Sequence, residues 1–202
     1  MFDGMLRKAI DPSLNRVGVR LARQGFRADR VTLAGLGLGA IAALMIAADL
    51  PGGLALLPLL ASRIADGLDG AIARAGAKTD FGGFLDIVAD FAFYGMIPFA
   101  FALRDGENAV PAAFLLLSFY VNGASFLAFA ILAEKRGLQT RARGEKSLYF
   151  TAGIMEGGET ILCMTAMCLW PTLFGPLAWV FGALCLATAT ARILLARQVF
   201  GD

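Results

Sequence analysis

Apolar residues in this chain gather into long blocks separated by short polar stretches. The blocks cover roughly residues 31–50, 53–74, 82–103, 110–133, 148–169 and 173–196. Each approaches or exceeds the ~20 residues with which an α-helix crosses the hydrocarbon core of a bilayer, and in lipid a helix satisfies its own backbone groups. The pattern predicts an all-α protein, a bundle of six transmembrane helices over residues 31–196. Ahead of it, Asp11 and Pro12 read as an N-cap and first helical position, and Gly25 as a stop. Between them Leu14, Val17 and Leu21 fall on one face, with Arg16, Arg20 and Arg23 on the other. That predicts an amphipathic helix lying on an anionic membrane surface, packed on the bundle as a peripheral cap, or both. Residues 1–30 read as a cytoplasmic juxtamembrane segment and not as a cleaved signal peptide, because arginines recur throughout and no uninterrupted apolar core precedes a cleavage site. With no internal repeat or low-complexity tract, residues 1–202 read as one membrane domain.

Composition supports the membrane assignment. The chain is 58% hydrophobic and 17% charged, with a mean hydropathy of +0.69, whereas soluble domains carry about a quarter charged residues. Histidine is absent, which excludes imidazole general-base catalysis and histidine-based zinc sites. Cys163, Cys168 and Cys185 lie inside apolar blocks at spacings that match no metal motif, and read as small core residues. The net charge of +2 matters less than its placement. Arg7, Lys8, Arg16, Arg20, Arg23, Arg27 and Arg30 precede the first block. Arg74 and Lys78 flank the second connection, and Lys135, Arg136, Arg141, Arg143 and Lys146 fill the fourth. Arg192 and Arg197 lie near the C-terminus, while the connections on the opposite side carry only Arg104. By the positive-inside rule both termini face the cytoplasm. Nothing in the chain points to a nucleic-acid partner.

Against this apolar background one stretch stands out. It reads Asp66-Gly67-Leu68-Asp69-Gly70-Ala71-Ile72-Ala73-Arg74 and then, after a gap of seven residues, Gly82-Gly83-Phe84-Leu85-Asp86-Ile87-Val88-Ala89-Asp90. A carboxylate at the bilayer centre costs roughly 2.5–3.5 kcal/mol on insertion scales, so four together call for a strong compensating charge. Asp66 and Asp69 are three apart and Asp86 and Asp90 four apart, so each pair shares a helical face. Two helices joined by a short loop at the cytoplasmic side can turn all four toward one point. Oxygen-only ligation of this kind suits Mg2+ or Mn2+, and two such ions can clamp the attacking and leaving oxygens of a displacement at phosphorus. Gly67 and Gly70 leave room for a bulky ligand beside the aspartates, Gly82 and Gly83 allow close helix packing, and Arg74 is placed to pair with a phosphate.

These residues resemble the signature of the CDP-alcohol phosphotransferases, Asp-x2-Asp-Gly-x2-Ala-Arg, a gap, then Gly-x3-Asp-x3-Asp. Asp66, Asp69, Gly70, Ala73, Arg74, Gly82, Asp86 and Asp90 all fall in place, and the gap is one residue shorter than is usual in the family. The resemblance extends over nearly the whole chain. It implies transfer of a substituted phosphate from a CDP-linked donor, commonly CDP-diacylglycerol, to an acceptor hydroxyl, with release of CMP. It implies that Asp66, Asp69 and Asp86 hold the metals, and that Asp90 ligates one of them and also takes the acceptor proton. By the same resemblance Asp66, Gly67, Gly70 and Arg74 contact the nucleotide and its phosphates, and the enzyme is a homodimer among membrane lipids. Family members often carry Pro-Asn-x-x-Thr before the first span; here Ala28-Asp29-Arg30-Val31-Thr32 keeps only the threonine, and Thr32 is the corresponding cytidine contact.

Other polar residues divide between structural and functional readings. Glu156 and Glu159 interrupt the fifth block and are interface-exposed residues, partners for Arg63, or part of a site wall that binds the acceptor. Arg63, three residues before Asp66, pairs with an acidic neighbour. Arg143 and Lys146 hold a phosphate on the acceptor or belong to an ordinary cytoplasmic loop. Glycerol 3-phosphate heads the acceptors, with inositol phosphate, serine and another phospholipid behind it; a polar CDP-alcohol donor with a polyol phosphate is a variant. Buried carboxylates also mark ion pathways, so a divalent-cation transporter is the alternative of another class. Against it, the acids cluster at one membrane face and no inverted repeat of the cluster appears. An inactive scaffold is disfavoured by the complete set of four aspartates.

Overall fold

A computed structural model describes residues 2–76, 78–137 and 157–201, with side chains from Ile10 onward. Among the described residues the protein is all-helical, without strands. The order is α1 (Phe2–Arg23), α2 (Ala28–Ala47), α3 (Gly52–Ala75), α4 (Asp80–Arg104), α5 (Ala109–Lys135), α6 (Gly157–Leu169) and α7 (Phe174–Phe200), with single 3-10 turns at Gly106–Asn108 and Pro171–Leu173. Among the described residues four stretches are long and apolar enough to cross a membrane: Ala28–Ala47, Asp80–Arg104, Gly106–Lys135 and Pro171–Phe200. Together with the composition they mark an integral membrane protein. α3 has the length but carries Arg63, Asp66, Asp69 and Arg74 from its midpoint onward.

The start of α1 differs from the expectation drawn from Asp11 and Pro12. The helix begins at Phe2 and runs through both residues, with Pro12 in its interior. Met5, Leu6, Arg7, Lys8 and Ala9 are strong helix formers, and their propensity carries the helix across a proline that local pattern alone marks as a start. The C-terminus follows the expected chemistry. Gly25 adopts φ +84°, its N–H donates to Ala22 O at 3.0 Å, and the N–H of Phe26 donates to Leu21 O at 3.1 Å, the paired bonds of a glycine-terminated helix end.

α1 packs on α3. The crossing is close because Gly18 faces Ala71, where an added Cβ would lie 2.6 Å from the alanine Cβ. Gly67 likewise lies beneath Leu14, with 2.8 Å between its notional Cβ and Leu14 Cδ1. The inward face of α1 is thus Leu14 and Gly18, whereas Val17 is exposed. A tight helix crossing selects the smallest residue available, and a hydrophobicity pattern does not register glycine as part of an apolar face.

α2 packs against both α3 and α4. Gly35 meets Ala65 and Ser62, and Gly39 meets the ring of Phe93, the small-residue contact that lets membrane helices approach closely. A core of Ile46, Leu59, Phe93, Ile97, Phe101, Leu115, Met164, Met167 and Phe174 runs down the middle, with the rings of Phe101 and Phe174 stacked at 4.4 Å. α5 pairs with α7 through Phe114 on Trp179 and Phe119 on Phe181. The three cysteines are free, with Cys168 and Cys185 buried and Cys163 half-buried.

Candidate active site

The site stands where the C-terminal half of α3 meets the N-terminal half of α4. α3 stops at Ala75, where Gly76 N–H closes on Ile72 O at 2.9 Å. α4 restarts at Asp80 because the Thr79 hydroxyl accepts the Gly82 N–H at 3.0 Å as an N-cap. Gly82 also leaves room for Asp29 of α2, whose carboxylate oxygen would sit 3.2 Å from a Cβ there. α2 packs on both helices and holds them so that their acidic turns face one place.

Ligand oxygens of Asp66, Asp69 and Asp86 lie within 4.8 Å of one another. Asp69 is buried, Asp66 half-buried and Asp86 exposed, so the group is anchored in the bundle and open on one side. Three carboxylates offering only oxygen form a donor set that fits a hard divalent cation such as Mg2+ or Mn2+. Asp69 is fixed from a third helix: the hydroxyl of Thr32, on α2, donates to its Oδ2 at 2.6 Å. A charge-assisted bond of that length holds the carboxylate in one rotamer.

Asp90, one turn beyond Asp86 on α4, has a different partner. Arg63 Nη1 donates to Asp90 Oδ1 at 2.8 Å and lies 3.7 Å from Asp66 Oδ1. Among the described residues the ion-pair partners of Arg63 are therefore two aspartates of the cluster, Asp90 and, farther off, Asp66. The reason is position: three residues before Asp66 on α3, Arg63 lies on the same face and points across to α4. Its guanidinium also covers the ring of Phe93 at 3.6 Å, and its Nη2 donates to Ser62 Oγ at 3.3 Å.

The remaining sequence-derived candidates are placed as follows. Gly67 is occupied by Leu14 of α1, so its missing side chain serves that packing. Gly70 lies under the Arg74 side chain, 3.2 Å from Nη1 to a notional Cβ. Arg74 is exposed and donates to Asn15 Oδ1 of α1 at 2.9 Å. Glu159 stands in the first turn of α6, a helix that packs on α3 and α1. Arg143, Lys146 and Glu156 lie outside the described residues. Two roles were not legible beforehand: the Thr32–Asp69 bond, and the contacts of Arg192, whose Nη1 reaches Asn122 O, Asn122 Oδ1 and Ser125 Oγ at 2.7–3.0 Å and ties α7 to α5. An arginine inside an apolar block is the signal that marks the second.

The family model described as CDP-alcohol phosphatidyltransferase matches residues 27–191. The inner membrane protein YnjF of Escherichia coli (strain K12) is 42% identical over 194 residues, which cover 96% of this chain and 94% of that protein. The crystal structure of Mycobacterium tuberculosis phosphatidylinositol phosphate synthase (PgsA1) with CDP-DAG bound is similar in fold, with a TM-score of 0.68 at 20% identity, covering 91% of this chain and 93% of that one.

Proposed function

This chain belongs to the CDP-alcohol phosphatidyltransferase family, and from that premise we propose that it transfers a phosphatidyl group from CDP-diacylglycerol to an acceptor hydroxyl and releases CMP. The observation that carries the reading is the convergence of Asp66, Asp69 and Asp86 from two helices onto one partly open spot. Membership in a transferase family favours this over ion transport. A fold shared with a structure that contains CDP-DAG gives the donor a precedent.

In this proposal the three aspartates and Asp90 hold two divalent ions, Mg2+ or Mn2+, which supply positive charge against the diphosphate of the donor. Thr32 fixes the rotamer of Asp69 and stands at the edge of the cytidine pocket. Gly70 leaves the backbone of α3 bare where the donor approaches, and Gly67 keeps α1 close beside it. Arg74 leaves Asn15 to pair with a donor phosphate. Asp90 accepts the proton of the acceptor hydroxyl as the oxygen attacks phosphorus; the P–O bond to the CMP leaving group breaks and its oxygen departs as the phosphate of CMP. Such a transfer depends chiefly on positioning and charge stabilisation, which a rigid two-helix site supplies.

The wider reading is a single membrane domain of six spans, with α3 and α6 completing the four apolar stretches, α1 on the cytoplasmic surface, and both termini and the site facing the cytoplasm. The assembly is a homodimer. Glycerol 3-phosphate is the first acceptor to test, with Arg143, Lys146, Glu156 and Glu159 on the acceptor side. Purified protein given CDP-diacylglycerol, Mg2+ or Mn2+ and a panel of acceptors should release CMP only when an acceptor is present, and the mass of the lipid product names it. No CMP release with any acceptor, under either ion, would overturn the proposal.

A further inference from the structure

We propose that Arg63 is a positioning residue that acts as the built-in cation of the carboxylate cluster, bridging Asp66 and Asp90 and competing there with a divalent ion. The inference rests on the metal-binding reading given above and concerns a residue outside the aspartate signature. One guanidinium nitrogen, Nη1, faces both carboxylates, at 2.8 Å from Asp90 Oδ1 and 3.7 Å from Asp66 Oδ1. Those oxygens come from different helices, so this nitrogen joins the two halves of the site as a small cation would.

The surroundings fix the group in place. Its side chain is 8% exposed, it lies against Phe93 at 3.6 Å, and Ser62 accepts from Nη2. An aromatic face over a guanidinium favours the cation. The other arginine at this end of α3, Arg74, is turned toward Asn15 of α1. Arg63 is thus the charge set against the carboxylates from inside the bundle, where like charges repel strongly.

A consequence follows for metal loading. An ion held by Asp66, Asp69 and Asp86 leaves the Arg63–Asp90 bond intact. An ion that also requires Asp90 must displace Nη1 or share the carboxylate with it. The first ion therefore binds tightly and the second weakly, and the weakness belongs to Arg63.

The test is Mn2+ binding to the purified full chain, followed by calorimetry and by the spectrum of free Mn2+, with wild type beside Arg63→Met and Arg63→Lys. Methionine keeps an apolar stem over Phe93 and removes the charge. The wild type should show two unequal sites. In Arg63→Met the weaker site should tighten by roughly tenfold or more, as expected for loss of one close like charge, and Arg63→Lys should keep the inequality. The metal-free Met variant should also melt lower than the metal-free wild type and gain more on adding Mn2+. Equal affinities in wild type and Arg63→Met would overturn the inference, as would weaker binding in the variant. Absence of Mn2+ binding by the wild type would overturn the metal reading itself, a distinct result. Should Arg63→Met not fold, arginine-labelled wild type decides: the Arg63 side-chain resonance, identified by its loss in Arg63→Lys, should move with the second equivalent of a diamagnetic divalent ion, and an unmoved resonance would overturn the inference.

Discussion

α4 is tied to its neighbours by an arginine–aspartate pair on each half, and the two pairs differ in how far the aspartate faces water and in what covers the arginine. Toward its N-terminal half, Asp90 meets Arg63 of α3, whose side chain is 8% exposed and stacked on Phe93. At its far end, Arg104, 19% exposed, meets Asp49, just past α2, whose side chain is 72% exposed, so the outer pair is open to water on its acidic side. An exposed pair contributes about 0–1 kcal/mol. A buried one costs several kcal/mol to dehydrate and, once formed, costs about 3–5 kcal/mol to break, with the lower figure apt here because Asp90 is itself 35% exposed. Evolution of a fastening alone would favour the cheap pair at both ends. The dehydrated pair sits where four carboxylates converge, which argues that its position is set by the chemistry of the site.

The same substitution at the two ends makes the contrast sharpest. Asp90→Asn keeps shape and removes the proton acceptor proposed above, so on that proposal transfer should fall by at least about a thousandfold, within the range for loss of a general base. The protein should remain inserted and folded, because an amide oxygen still accepts from Arg63. The measurement is CMP release by purified variant at saturating donor and acceptor; turnover within a few fold of wild type would remove Asp90 from the role of base.

How far these features could be read beforehand depends on the range of the interaction. The apolar blocks at 82–103, 110–133 and 173–196 lie within a few residues of α4, α5 and α7, because long apolar runs need little beyond their own composition to become helices. The grouping of Asp66 and Asp69 with Asp86 was also legible, since spacing places each pair on one face and a short loop joins the two helices. The start of α1 was not, because Pro12 is a local signal that the helix formers before it override. Nor was the partner of Arg63: that it reaches Asp90 depends on how α2 sets α3 beside α4, which no window of sequence contains. The contact between Thr32 and Asp69 spans 37 positions and was hidden for the same reason.

That contact provides the intermediate case between the two ends of α4, a buried hydrogen bond to a site carboxylate with no ion pair. Thr32→Val removes the hydroxyl and nearly preserves shape. Hydrogen bonds to charged groups contribute about 1.5–3 kcal/mol, so the rate should fall roughly 10–100-fold, and Mn2+ affinity should fall with it as Asp69 loses its fixed rotamer. Thr32→Ser should restore most of both. A Val variant with unchanged rate and affinity would mean that the rotamer of Asp69 is held by its helix alone.

The smallest effect belongs to the far end. Asp49 has φ +56°, a left-handed conformation that asparagine adopts as readily as aspartate. Asp49→Asn therefore changes the charge without straining the turn after α2, and the amide oxygen, on the 72% exposed side of the pair, still accepts from the half-buried Arg104. The expected loss is under about 1 kcal/mol, a shift in thermal midpoint of no more than about 4 °C for a chain of this size, with unchanged CMP release and unchanged Mn2+ binding. A large destabilisation would show that the outer pair also fastens the helices, and the asymmetry between the two halves of α4 would no longer separate a site residue from a fastening. A small shift in stability with intact metal binding, set beside the inactive Asp90→Asn, would leave the asymmetry as a property of the site.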